Sequence, residues 1–196
     1  MGTGNDMKPV AAPSVKFTYE DFLNFPDDGN RHEIIEGEHY VTPSPNTKHQ
    51  AVCVSLAAIV WTYLKRHPIG AVFAAPFDVV FSDISVVEPD LLYISRERAG
   101  SLTDKHVRGA PDLVVEILSP GTRKTDEVTK RKLYERFDVR EYWVVDPELD
   151  AVKVYRRDGG VFVRAAELTA EAGDILTTPL LPELSISLAD LFAMPV

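Results

Sequence analysis

The stretch Pro111-Asp112-Leu113-Val114-Val115-Glu116-Ile117-Leu118 constrains this chain more than any other. A run so rich in β-branched and aliphatic residues belongs to a central strand covered on both faces. Glu116 lies in the middle of it. An ionised carboxylate in such a place is costly unless a cation pairs with it or a metal ion binds it. Two readings therefore stay open: a buried bridge to an arginine or lysine, or a functional carboxylate.

The rest of the chain supplies what a covered strand needs. Thr18, with Asp21 three residues on, forms a capping pattern for a short helix at Tyr19 to Leu23. Glu36-Gly37-Glu38 predicts a tight turn between His32–Ile35 and His39–Thr42. The stretch from Pro43 to Asn46 breaks the chain. Val52, Leu56, Ile59 and Tyr63 recur at helical spacing, and His67-Pro68 ends that helix. Strands are expected at Val72–Phe81, Val86–Ile94 and Leu113–Leu118, with a polar helix or loop at Arg96–Arg108 before the last. A second helix is expected at Thr125–Phe137 and a strand at Glu141–Val145. A hairpin of Val152–Tyr155 and Val161–Ala165 follows around Asp158-Gly159-Gly160. This order predicts an α/β (α+β) fold, a mixed β-sheet with helices packed on it. Residues 1–16 read as a loose tail and 17–196 as one domain, a division that suits a chain of 196 residues.

Composition narrows the function classes. Cys53 is the single cysteine, so neither an intramolecular disulfide nor a cysteine-based zinc cluster can form. Met1 to Ser14 shows no basic segment followed by an apolar one, and the apolar run Ala51–Trp61 is shorter than a membrane span requires. A cytoplasmic location with no membrane partner is expected. The formal net charge of −9 argues against a general nucleic-acid coat, though an acidic metal site is itself a source of negative charge. No glycine-rich phosphate loop is present, and the five histidines lack zinc-ligand spacing.

A second acidic element, Glu88-Pro89-Asp90, lies inside the preceding strand-like run. The proline breaks pairing locally. If the strands carrying Asp90 and Glu116 are neighbours, the two carboxylates converge, and two carboxylates with waters suit a small hard cation such as Mg²⁺. Asp112 shares the Glu116 face but lies about 13 Å along the strand, too far to share an ion, so it is a strand-entry or outlying supporting residue. On the following helix Lys130, Leu133, Tyr134 and Phe137 form one stripe, which points Lys130 toward the core. The alternatives are a lysine that snorkels to the surface or an Asp126–Lys130 helical pair. His49 at a helix start is either near the site or a capping or core residue. Arg123, Lys124, Arg131, Lys132 and Arg136 form a basic patch able to meet phosphates, or a solvated helix face. Trp61 and Trp143 are expected in the core.

The segment from Gly109 to Pro120, then Arg123, Asp126, Lys130 and Tyr134, then Glu141-Tyr142-Trp143-Val144-Val145-Asp146-Pro147, resembles the Uma-type restriction endonuclease family of the PD-(D/E)XK nuclease superfamily. Glu33-Ile34-Ile35-Glu36-Gly37-Glu38, His49 and Pro89-Asp90 also fall where that pattern expects them, so the resemblance runs from about Phe17 to Leu191. It implies a restriction-endonuclease-like fold and Mg²⁺- or Mn²⁺-dependent cleavage of DNA to a 5′-phosphate and a 3′-hydroxyl. Asp90 and Glu116 would be the metal ligands, with Glu33 a further acidic residue. The usual lysine position beside the second carboxylate is Leu118 here, and Lys130 substitutes for it. Dimerisation is plausible for a protein that cuts two strands. Two other readings stand beside this one: a catalytically silent binding module that keeps the fold, and a metal-dependent hydrolase of a small phosphorylated compound.

Overall fold

The computed structural model describes residues 15–42 and 44–194. Apart from Val15 and Lys16, the tail expected at 1–16 lies outside the described residues, as does Pro43. The chain opens with α1 (Tyr19–Phe22), whose N-cap Thr18 and Asp21 form the reciprocal capping box. Strands β1 (Arg31–Ile35) and β2 (Glu38–Thr42) then form a hairpin. Its turn residues Glu36 and Gly37 have φ of 55° and 88°. A side chain at Gly37 would also collide with Lys16, so glycine is required there twice over.

Helix α2 (Thr47–Arg66) is capped by the Asn46 side chain, which accepts from His49 N, and stops before Pro68. Its buried stripe is Val52, Leu56, Val60 and Leu64. Ile59 and Tyr63, expected on that face, flank it half-buried. Trp61 is not a core residue. It stands on the outer face at 57% exposure, with the Lys65 ammonium 5.6 Å over its ring.

Both long runs expected as single strands are split. Val72–Phe81 becomes β3 (Gly70–Ala74) and β4 (Val79–Ser82), parted at the cis Ala75–Pro76 peptide. Val86–Ile94 becomes β5 (Ser85–Val87) and β6 (Leu91–Ser95), parted at Glu88-Pro89-Asp90. Each proline lacks a ladder N–H, and at each the chain changes sheet. A 3₁₀ turn at Arg96–Ser101 leads to β7 (Val107–Arg108), and β8 (Leu113–Ile117) follows. Next come a π-helical turn at Thr125–Lys130 that runs directly into α3 (Arg131–Arg136), and β9 (Glu141–Asp146). The hairpin of β10 (Ala151–Asp158) and β11 (Val161–Thr169) is longer than expected. Past Thr169, where no element was expected, lie β12 (Ile175–Thr177), β13 (Ser185–Ser187) and α4 (Leu188–Phe192).

These strands make a mixed sheet in the order β11-β10-β9-β8-β6-β3, a second in the order β2-β1-β5-β4-β7, and the small pair β12-β13. Strand β8 is central, antiparallel to β6 and parallel to β9. Its side chains alternate between two cores. Leu113, Val115 and Ile117 pack with α2 and the C-terminal elements, while Val114 and Leu118 pack with α3 and the second sheet. This is an α+β fold of mixed sheets flanked by helices, and all five residues of β8 are buried. Among the described residues no helix is long and apolar enough to cross a membrane.

Candidate functional site

Position 90 ends the linker by which the chain leaves the second sheet and enters β6. The β6–β8 register pairs Leu91 with Val115 and Leu92 with Val114. Continued by one residue, it sets Asp90 opposite Glu116, on the face shared with Leu92 and Val114. The junction is tied by the Ile117 N–H, which donates to Asp90 Oδ2 at 2.7 Å. Asp90 and Glu116 are each 2% exposed. Both line a cleft of about 660 Å³, walled also by Arg31, His49, Asp126 and Lys130.

Lys130 reaches into this space from the π-helical turn. Its ammonium lies 3.0 Å from Glu116 Oε1, 2.8 Å from Glu33 Oε1 and 3.7 Å from Asp126 Oδ1. One turn further on, the Tyr134 hydroxyl donates to the same Glu116 oxygen at 2.5 Å. Lys130 and Tyr134 together fix one oxygen of Glu116. Its Oε2 has no hydrogen-bond partner among the described residues, on a carboxylate that borders the cleft.

Asp90 is held differently. Its Oδ1 accepts from both terminal nitrogens of Arg31 at 3.0 Å, and its Oδ2 accepts from Ile117 N–H and lies 3.2 Å from His49 Nε2. The Arg31 Nε also pairs with Glu88 at 2.8 Å. His49 Nδ1 is buried and has no hydrogen-bond partner among the described residues.

Burial and charge pull these groups in opposite directions. Burial pushes the Glu116 carboxyl well above its usual range, against the pull of Lys130 and with Asp126, Asp90 and Glu33 adding to the rise. Asp126 is pushed up to about 6 by burial, again with Lys130 opposing. Burial also raises Glu88, partly offset by Arg31. At Asp90 burial is outweighed by the His49 contact, the Arg31 charge and the Ile117 N–H, so its carboxyl is held below the usual value. Burial alone would lower Lys130, yet Glu116, Glu33 and Asp126 outweigh it and hold the ammonium above its ordinary value. Lys130 is therefore a fixed cation and hydrogen-bond donor, not a base. Five carboxylates, Glu33, Glu88, Asp90, Glu116 and Asp126, stand around two permanent cations, Arg31 and Lys130.

The sequence profile of a family named Uma2 and described as "Putative restriction endonuclease" matches residues 19–189. The chain belongs to the Uma2 family. A crystal structure of a "putative nuclease" from Anabaena variabilis superimposes with a TM-score of 0.76 at 25% identity, covering 90% of this chain and 97% of that one. No curated protein matches the chain. The family and the fold of this Uma2 protein are thus nuclease-like.

Not every expected site residue of the Uma2 chain reaches the cleft. Glu33, expected as a further metal ligand, stands behind the cleft wall. Its Oε1 accepts from Glu88 N–H at 2.8 Å and from Lys130, so it anchors rather than faces the opening. Asp112 is fully buried at the far end of β8, bound to Ser95 N–H and the guanidiniums of Arg98 and Arg140. Its position before the strand separates it from Glu116, so it supports the sheet and not the site. His49 does reach Asp90. Arg123 is spent on Asp146, at 2.5 Å, and Glu148, at 3.2 Å, while Lys124 is exposed.

Arg31, Glu88 and Tyr134 carry contacts that the sequence did not assign to them. Arg31 meets Asp90 across 59 positions, and no local pattern marks such a pair. Asp126 had a signal, its spacing of four from Lys130, which also fits an ordinary helical pair.

Proposed function

We propose that the protein is a Mg²⁺- or Mn²⁺-dependent endonuclease that hydrolyses DNA phosphodiester bonds, with Asp90 and Glu116 as the metal ligands. The excess of buried carboxylate over cation at one cleft carries this reading. Such an imbalance is relieved by protons or by a bound cation, and carboxylate oxygens suit a hard divalent ion. The unpartnered Glu116 Oε2 gives that ion a donor without breaking any existing contact. Among the described residues no three histidine, cysteine or acidic side chains stand ready as a metal cage. The fit is one of donor chemistry, with the final ligand placement made on binding.

A bound divalent ion supplies an acidified water and neutralises charge on the scissile phosphate. The chain's own residues do the positioning. Tyr134 and Lys130 hold Glu116 with one oxygen directed inward, which fixes the orientation of the other. Glu33 and Asp126 keep Lys130 protonated, so its ammonium is a standing positive charge for the phosphoryl oxygens in the transition state. His49 orients Asp90 from the first turn of α2. One cleft per chain addresses one strand, so cutting both strands of a duplex asks for two copies.

One observation favours a second reading, a silent binding module. All the oxygens of Asp90 already have protein partners, as in a site stabilised for scaffolding. Incubating supercoiled plasmid with the protein and Mn²⁺, with and without EDTA, separates the two. Metal-dependent nicking supports the nuclease, and a plasmid left intact both with Mn²⁺ and with EDTA supports the module.

A further inference from the structure

The partners of Asp90 leave it no room for an added ion. A carboxylate offers about four lone-pair directions. At Asp90 two go to the Arg31 nitrogens, one to Ile117 N–H and one to His49. A metal can reach this carboxylate only if one donor leaves. The Ile117 donor is main chain in a central strand. His49 is 6% exposed and built into the first turn of a long capped helix. Arg31 is the movable one: it stands at the first residue of β1, its side chain is 18% exposed, and it borders the cleft.

We propose that Arg31 is the resident cation of this site, exchanged for the metal ion as that binds and then free to take a phosphate oxygen. The inference rests on the metal-site reading above. Three features carry it. Arg31 pairs with two cleft carboxylates at once, Glu88 through Nε and Asp90 through its terminal nitrogens. A divalent ion placed in the same acidic surroundings would bridge the same carboxylates with twice the charge. The released guanidinium stays on the cleft wall, where its planar fork matches phosphate oxygens. Glu88 remains tethered through its own backbone N–H to Glu33, so the exchange moves one side chain and leaves the linker in place.

The test is Mn²⁺ titration by calorimetry on the parent protein, Arg31→Met and Arg31→Lys, each checked for folding by circular dichroism. Removal of the competing cation should tighten Mn²⁺ binding about tenfold or more in Arg31→Met, which is about 1.4 kcal/mol. Arg31→Lys keeps a charge but loses the fork and should fall between parent and Arg31→Met. A folded Arg31→Met that binds Mn²⁺ no tighter than the parent overturns the exchange; if that variant fails to fold, the same result in Arg31→Lys does. Parent and variants that all ignore Mn²⁺ overturn the metal-site reading itself. A parent that binds with unchanged variants overturns only this inference. Binding of a short DNA duplex with Ca²⁺ in place of Mn²⁺ reads the second half. The salt slope for Arg31→Met should drop by about one relative to the parent, and an unchanged slope removes the phosphate role.

Discussion

The Lys130 ammonium lies 3.0 Å from Glu116 Oε1, and both residues are almost wholly buried. The pair joins the central strand to the helix that covers it, and the same ammonium reaches Glu33 on the second sheet at 2.8 Å. One lysine thus ties together three separate parts of the fold. Breaking such a centre by deleting the cation leaves carboxylates buried without compensation. Lys130→Met should destabilise the protein by about 3–5 kcal/mol in metal-free buffer, read by urea denaturation. A variant as stable as the parent would show that the carboxylates escape to water and that the centre is not structural. The three carboxylate neighbours of Lys130 thus predict a stability effect beside any effect on turnover.

Glu116→Gln acts on the other member of the pair. The amide oxygen can still accept from Lys130 and Tyr134, and Lys130 keeps Glu33 and Asp126. The metal-free melting temperature should therefore match or exceed that of the parent, because a costly buried charge is gone. A lowered melt would assign Glu116 to scaffolding.

Tyr134→Phe removes one donor to a buried, charged acceptor and little else. A loss of about 2 kcal/mol is expected in denaturant unfolding. Mn²⁺ affinity should also weaken, because Glu116 loses a contact that orients it. Loss of stability with unchanged Mn²⁺ affinity would make the tyrosine purely structural.

Asp146, the last residue of β9, gives a pH signature. Burial works to raise its carboxyl, but Arg123 and the N–H groups of Glu148 and Leu149 outweigh it and hold it below the usual value. A carboxyl depressed in the folded state contributes stability above its unfolded value near pH 4, and that contribution is lost as pH falls through the folded value. Arg123 is one-third exposed, so solvent screening limits the effect to about 1 kcal/mol. Asp146→Asn should lower stability at pH 7 and converge with the parent as pH falls from the unfolded value through the depressed folded one. A constant difference across that range would contradict the ion-pair account.

The sheet's centre was legible because β8 states its burial in its own composition, and a charged residue inside it can only be paired or functional. The Lys130 stripe was legible for the same reason, since helical spacing places that residue among Leu133 and Tyr134. The two split strands were harder. Val72–Phe81 and Val86–Ile94 have strand-like side chains throughout, and only the prolines mark where each changes sheet. Trp61 misled because its size suggested burial, whereas the buried i, i+4 stripe of α2 passes through Val60 beside it. Arg31 was illegible: its partner Asp90 is brought to it by the order of strands β1-β5 and by the linker to β6, which no local window contains. Glu33 was read from the family pattern as a ligand, and in the structure its Oε1 meets both Lys130 and the Glu88 N–H, contacts between distant segments that no local window contains.

The central claim is that Asp90 and Glu116 hold a divalent ion that the chemistry needs. Plasmid nicking by the parent and by Glu116→Gln, each with Mn²⁺ and with EDTA, tests it most directly. The account predicts nicking by the parent in Mn²⁺ alone, and a loss of at least about a hundredfold in the variant, with its fold intact by circular dichroism. Nicking that persists in EDTA, or that survives in Glu116→Gln, would contradict it.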